Sequence, residues 1–200
     1  MIAIVDYGVG NLFSLKASLK ALGIAATVTG DRDKIAAADK IILPGVGAFG
    51  DAKRNLDERG LTDFVISEAR SGKPLLGICL GMQLLSDVSY EYGEHAGLGL
   101  IPGKVQPLAE VVKGLKVPAM GWNALKFVKD CPILKYNSDG DYVYYVHSYY
   151  VPKGEYTAAY SEYGVNVSGV TWNENVFGVQ FHPEKSGAVG LKILKAFEEL

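Results

Sequence analysis

The chain has 200 residues, 48% of them hydrophobic, and a formal net charge of −2 with both signs spread along it, which suits one globular domain, 1–200, with a sizeable core. No basic stripe invites nucleic acid, no polybasic patch invites a membrane, and no apolar run approaches the roughly 20 residues that span a bilayer. Two cysteines, Cys79 and Cys131, make no disulfide framework, and Met1 to Val5 lacks the basic region and long apolar stretch of a signal peptide, so a soluble protein of the reducing cytoplasm is expected.

In chain order, Ile2 to Val5 reads as a buried strand, and Leu12, Leu15, Leu19 and Leu22 repeat at helical spacing until Gly23. Ala26 to Thr29 is a second strand, Asp31 to Ala38 a short helix and Lys40 to Leu43 a third strand. Asp51 to Gly72 is two helices, or one broken at Gly60. Leu75 to Cys79 and the helix after it complete a β-α series, which predicts a parallel sheet. After Tyr90 the pattern turns β-rich: Lys104 to Leu108, Ala124 to Val128, Tyr142 to Val151, Tyr156 to Tyr160, Val165 to Trp172 and Val176 to Phe181, with a last helix at Leu191 to Leu200. The expected fold is α/β: an open, mainly parallel sheet with helices on both faces and a partly antiparallel C-terminal half. Cys79 then sits at the carboxyl end of a strand, where open parallel sheets bind ligands.

Gly77-Ile78-Cys79-Leu80-Gly81 is G-x-C-x-G, the thiol counterpart of the G-x-S-x-G nucleophile elbow. A helix N-terminus beside a cysteine favours the thiolate, and flanking glycines permit a cramped turn open to substrate. Taken alone, Cys79 also fits a small buried hydrophobe.

Val176 to Ser186 reads as a strand ending in His182-Pro183-Glu184. Pro183 biases His182 to an extended conformation, and in extended chain residues two apart share a face. His182 and Glu184 thus suit a base and its orienting acid. His95, in a Gly-rich loop, and His147, in a Tyr-rich strand, remain alternative bases, although neither is followed by an acid two residues on. A third stretch, Pro44-Gly45-Val46-Gly47, is a turn at a strand end whose exposed N–H groups suit an oxyanion site, and equally an ordinary Pro-Gly turn.

Together these stretches resemble the class I glutamine amidotransferases. Asp6-Tyr7-Gly8-Val9-Gly10-Asn11, Pro44 to Phe49, Met120-Gly121-Trp122-Asn123, Tyr145 to Tyr149 and Phe181 to Ser186 are similar, more narrowly, to the glutaminase subunits of imidazole glycerol phosphate synthase, from histidine biosynthesis. The resemblance implies a Cys79-His182-Glu184 triad that hydrolyses glutamine through a γ-glutamyl thioester, with the N–H groups of Val46 and Leu80 as oxyanion donors. It further implies that Gly47, Gln83, His147, Ser148 and Tyr149 line the glutamine pocket, the last two through backbone groups, and that no metal or organic cofactor takes part. The implied partner is a (βα)8-barrel cyclase subunit that receives the ammonia. Asn11, Trp122 (in a Met-Gly-Trp-Asn turn) and Lys185 are expected at that interface, each with a plainer reading as helix cap, core residue and solvated charge. The glutaminase of another synthase, or a non-catalytic binding protein on the same fold, stays open.

Overall fold

The strands Ile2–Val5 and Leu75–Cys79 carry no polar alternation because both of their faces are covered. In the computed structural model, which describes residues 1–200, β1 (Ile2–Val5), β2 (Ala26–Thr29), β3 (Lys40–Gly45) and β4 (Leu75–Cys79) run parallel. The helices that link them are α1 (Leu12–Ala21), α2 (Arg32–Ala37) and the pair α3 (Phe49–Glu58) and α4 (Thr62–Arg70), and the short α5 (Leu80–Leu84) leaves β4 directly. There follow β5 (Val88–Ser89), β6 (His95–Ala96), β7 (Lys104–Pro107), β8 (Ala119–Ala124), β9 (Lys126–Phe127), β10 (Tyr142–His147) and β11 (Tyr149–Tyr150). Next come β12 (Thr157–Glu162), β13 (Asn166–Asn173), β14 (Val176–Val179) and α6 (Gly187–Glu198).

The main sheet has eight strands in the order β2-β1-β3-β4-β14-β13-β12-β9. β14 lies parallel to β4, and β13, β12 and β9 continue antiparallel. The expected mainly parallel sheet with an antiparallel C-terminal part is therefore present. Two smaller sheets, β10-β8 and β11-β7-β5-β6, complete the β-rich half.

Alternate residues of each central strand feed opposite cores, as the two-residue period of a strand requires. Ala3, Val5, Ile41 and Leu43 pack with Leu56 of α3 and Val65 of α4. Ile2, Ile4, Ile42 and Leu76 pack with Leu15 and Leu19 of α1 and with Ile193, Leu194 and Phe197 of α6. Helices thus cover both faces.

Several boundaries differ from the sequence expectation, each for a local reason. The helical stretch after β3 is two helices, the first of the two expected alternatives, divided where Gly60 takes a left-handed φ of 63°, but it begins at Phe49 rather than Asp51. Met120 to Asn123, expected as a turn, is instead the middle of β8: it pairs residue for residue with Val143 to Val146 of β10, and that ladder outweighs the local Gly-Trp-Asn turn signal. The strand expected over Ala124 to Val128 is consequently split, its start ending β8 and Lys126–Phe127 forming β9 in the main sheet. The run from Tyr142 to Val151 likewise divides at Ser148 between two sheets. α6 begins at Gly187 rather than Leu191. Its first turn lies against the His-Pro-Glu segment so closely that a Cβ at Gly190 would come 2.0 Å from the Pro183 carbonyl oxygen.

Candidate active site

Cys79 ends β4 and is register partner to Gly45 at the end of β3. The chain passes from β4 into α5 with no connecting residue, so Cys79 takes φ 56°, ψ −112°, a conformation rare for a side-chain-bearing residue and costing about 1–3 kcal/mol. The glycines of the G-x-C-x-G stretch make the turn possible. A Cβ at Gly81 would lie 1.8 Å from the Leu43 carbonyl oxygen, and one at Gly77 2.7 Å from that of Gly81. β3, β4 and the start of α5 therefore meet backbone to backbone beneath the sulfur.

His182 lies just beyond β14, the strand beside β4, and is 3% exposed. Its Nδ1 donates to Glu184 Oε1 at 2.9 Å. The pairing does not arise from an extended chain, as the residue spacing suggested: Pro183 opens a 3-10 turn over Pro183–Lys185, and the turn brings the carboxylate back to the ring. The Ser186 hydroxyl fixes this turn by donating to the His182 carbonyl at 2.6 Å and accepting the Tyr144 N–H at 3.0 Å, while the His182 N–H donates to the Tyr144 carbonyl. Burial pulls the His182 pKa down, but Cys79 on one side and Glu184 on the other outweigh it and hold the imidazolium up to about 9.

An open pocket of ≈ 250 Å3 holds Cys79, His182, Val46, Gly47, Leu80, Gln83, His147, Ser148 and Tyr149 together with Glu91 and Val146. It suits a ligand of amino-acid size. The Val46 and Ser148 N–H groups have no acceptor within the chain, and that of Leu80, first in α5, has none within its helix. The Ser148 carbonyl accepts the Leu108 N–H at 2.9 Å, and the Tyr149 carbonyl accepts Gln83 Nε2 at 2.9 Å and His147 Nδ1 at 3.0 Å.

Two polar residues that sequence reasoning missed complete the site. Gln180, fully buried, accepts Gln83 Nε2 at 3.0 Å and has its own amide nitrogen 3.9 Å from Cys79 Sγ. Its signal was an amide inside the apolar run Val176 to Phe181, which must find partners when buried. Glu91 lines the pocket and takes the Phe49 N–H, the first of α3, on Oε2 at 2.7 Å. Burial raises its pKa.

Of the alternative bases, His95 packs on Phe49 and over Gly50, outside the pocket. His147 is in the pocket, but burial lowers its pKa to about 4 and its Nδ1–H is spent on a carbonyl. Asn11 does not cap α1 with its side chain. Its Nδ2 lies 3.5 Å from Glu184 Oε1. Trp122 is 55% exposed on β8, edge-to-face with Tyr144, and Lys185 is exposed.

A family model described as glutamine amidotransferase class-I matches residues 3–198. The chain is 50% identical over 202 residues to an imidazole glycerol phosphate synthase subunit HisH of Geobacillus thermodenitrificans (98% of this chain, 94% of that one). It is also 50% identical to the protein of that name from Caldanaerobacter subterraneus subsp. tengcongensis (100% and 98%). A crystal structure of a glutamine amidotransferase shares the fold, with a TM-score of 0.77 at 21% identity over 100% of this chain and 98% of that one.

Proposed function

From the premise that the chain belongs to the class I glutamine amidotransferases, as a glutaminase subunit of an imidazole glycerol phosphate synthase in histidine biosynthesis, we propose that Cys79, His182 and Glu184 carry its glutamine hydrolysis and that the ammonia passes to a (βα)8-barrel cyclase subunit. The observation that carries the reading is the strained Cys79 turn opening on the same pocket as a carboxylate-bound His182.

Cys79 Sγ attacks the side-chain amide carbon of glutamine, and the proton it gives up rests on His182. The carbonyl oxygen becomes an oxyanion, for which the Val46 and Leu80 N–H groups are the donors. Collapse of the intermediate breaks the C–N bond as His182 returns the proton to nitrogen, and ammonia leaves. Water, deprotonated by His182, then attacks the thioester, and glutamate departs as the thiol re-forms. Glu184 keeps the ring oriented and balances the imidazolium. At the other end of the substrate, Glu91 suits the α-ammonium, and the Ser148 and Tyr149 backbone suits the α-carboxylate. Gly47, Gln83 and His147 shape the pocket between.

The partner surface is the rim holding Asn11, Trp122 and Lys185. Exposed Met120 and Trp122 on β8 are apolar anchors of the kind interfaces use, and Lys185, next to Glu184, can fix register against a partner carboxylate. The test is ammonia release from glutamine by the isolated chain and by the chain with the cyclase subunit. Release should rise on complex formation and fall by several orders of magnitude in Cys79→Ala, whose complex should still use externally added ammonia. Glutamine turnover by Cys79→Ala equal to that of Cys131→Ala would overturn the assignment.

A further inference from the structure

Tyr7 follows β1 in the Asp6 to Asn11 stretch, and no step above uses it. It is fully buried among the apolar side chains of one core face, and its hydroxyl donates to the Pro44 carbonyl at 2.6 Å. This bond stands where a ladder bond would otherwise be. β1 and β3 pair as far as Ile4 and Ile42. Pro44, two residues on, turns its carbonyl to the same side but has no N–H with which to continue the ladder to β1, and the Asp6 N–H of that chain serves the Thr29 carbonyl of β2.

The residue after Pro44 is Gly45, where a Cβ would come 2.8 Å from the Tyr7 hydroxyl and 2.9 Å from both Gly81 N and Leu80 Cβ. Tyr7, the Gly45 backbone and the start of α5 therefore pack at one point, between Val46 and Leu80. Burial, with Cys79 adding to it, raises the phenol well above its ordinary range, so it stays a neutral donor.

We infer that Tyr7 is a positioning residue for the oxyanion site: by holding the Pro44 carbonyl it sets, through Gly45, where the Val46 N–H points relative to Cys79. The inference rests on the glutaminase reading of the pocket.

Tyr7→Phe keeps the ring and removes the donor. Two reactions of Cys79 separate positioning from general damage, because glutamine hydrolysis passes through an oxyanion whereas alkylation by iodoacetamide displaces iodide and forms none. In complex with the cyclase subunit, Tyr7→Phe should lose about tenfold in kcat for glutamine, with KM and the Cys79 alkylation rate within about twofold of the unsubstituted chain. The Val46 amide resonance should shift while those of Ala3 and Ile4 in β1 stay, a readout independent of activity.

An unchanged kcat, an unmoved Val46 amide, or alkylation falling in step with kcat would each overturn the inference while leaving the glutaminase reading intact. A chain that, unsubstituted and in complex, released no ammonia from glutamine would remove both.

Discussion

Glu184 uses its two oxygens unequally: Oε1 receives His182 and lies near Asn11, while Oε2 is buried with no partner in the chain. A carboxylate held this way is poorly solvated and leans on the imidazolium for charge balance, which ties the proton on His182 to Glu184. Because the folded pKa of His182, about 9, lies above its unfolded 6.5, its contribution to stability is full below pH 6.5 and is lost as pH rises through about 9. On the proposed roles activity follows the same direction: once His182 loses its proton, departing ammonia has no acid. The alkaline limb of kcat/KM for glutamine should fall near pH 9, and Glu184→Gln, which removes one of the two supports of the imidazolium, should move that limb to lower pH and leave a partial rate. A limb that stays in place in Glu184→Gln would detach Glu184 from the proton.

Among the elements, the junction of β3, β4 and α5 does the positioning, and glycines decide it. Gly81→Ala would drive a Cβ to 1.8 Å from the Leu43 carbonyl, forcing β3 and α5 apart at the point that aims Cys79. Chemical denaturation should show a loss of about 3 kcal/mol or more, and glutamine turnover should be lost with it. A stable, active Gly81→Ala would mean that the close approach is dispensable. This junction was legible in the sequence, since G-x-C-x-G between an apolar run and leucines states both the turn and its tightness. The β-α alternation was legible too, from apolar runs punctuated by Gly and from the two-residue and helical periods. What resisted reading depended on distant partners. β8 carries turn residues and is a strand only because β10 pairs with it. His182 and Glu184 meet through a 3-10 turn rather than along a strand. Gln180 and Glu91 show their purpose only once β14 and the segment after β5 reach the pocket.

At the scale of the molecule, the proposed catalytic groups and the proposed interface are joined through one antiparallel strand pair, β8 and β10. Trp122 of β8 packs on Tyr144 of β10, and the Tyr144 backbone carries both His182 and Ser186. Trp122→Ala should weaken binding of the cyclase subunit about tenfold, as loss of an interface aromatic does, and Trp122→Phe should weaken it less. Titration calorimetry of the two chains reads this directly, and equal affinities for all three forms would remove Trp122 from the interface. The sheet order has a consequence for synthesis. β14, the last strand made, inserts between β4 and β13, so until it is made β4 remains an open edge with Cys79 at its tip and without the proposed base beside it. The nascent protein thus carries the proposed nucleophile unarmed from the making of Cys79 to that of His182, and the reactive pair assembles only when β14 closes the sheet.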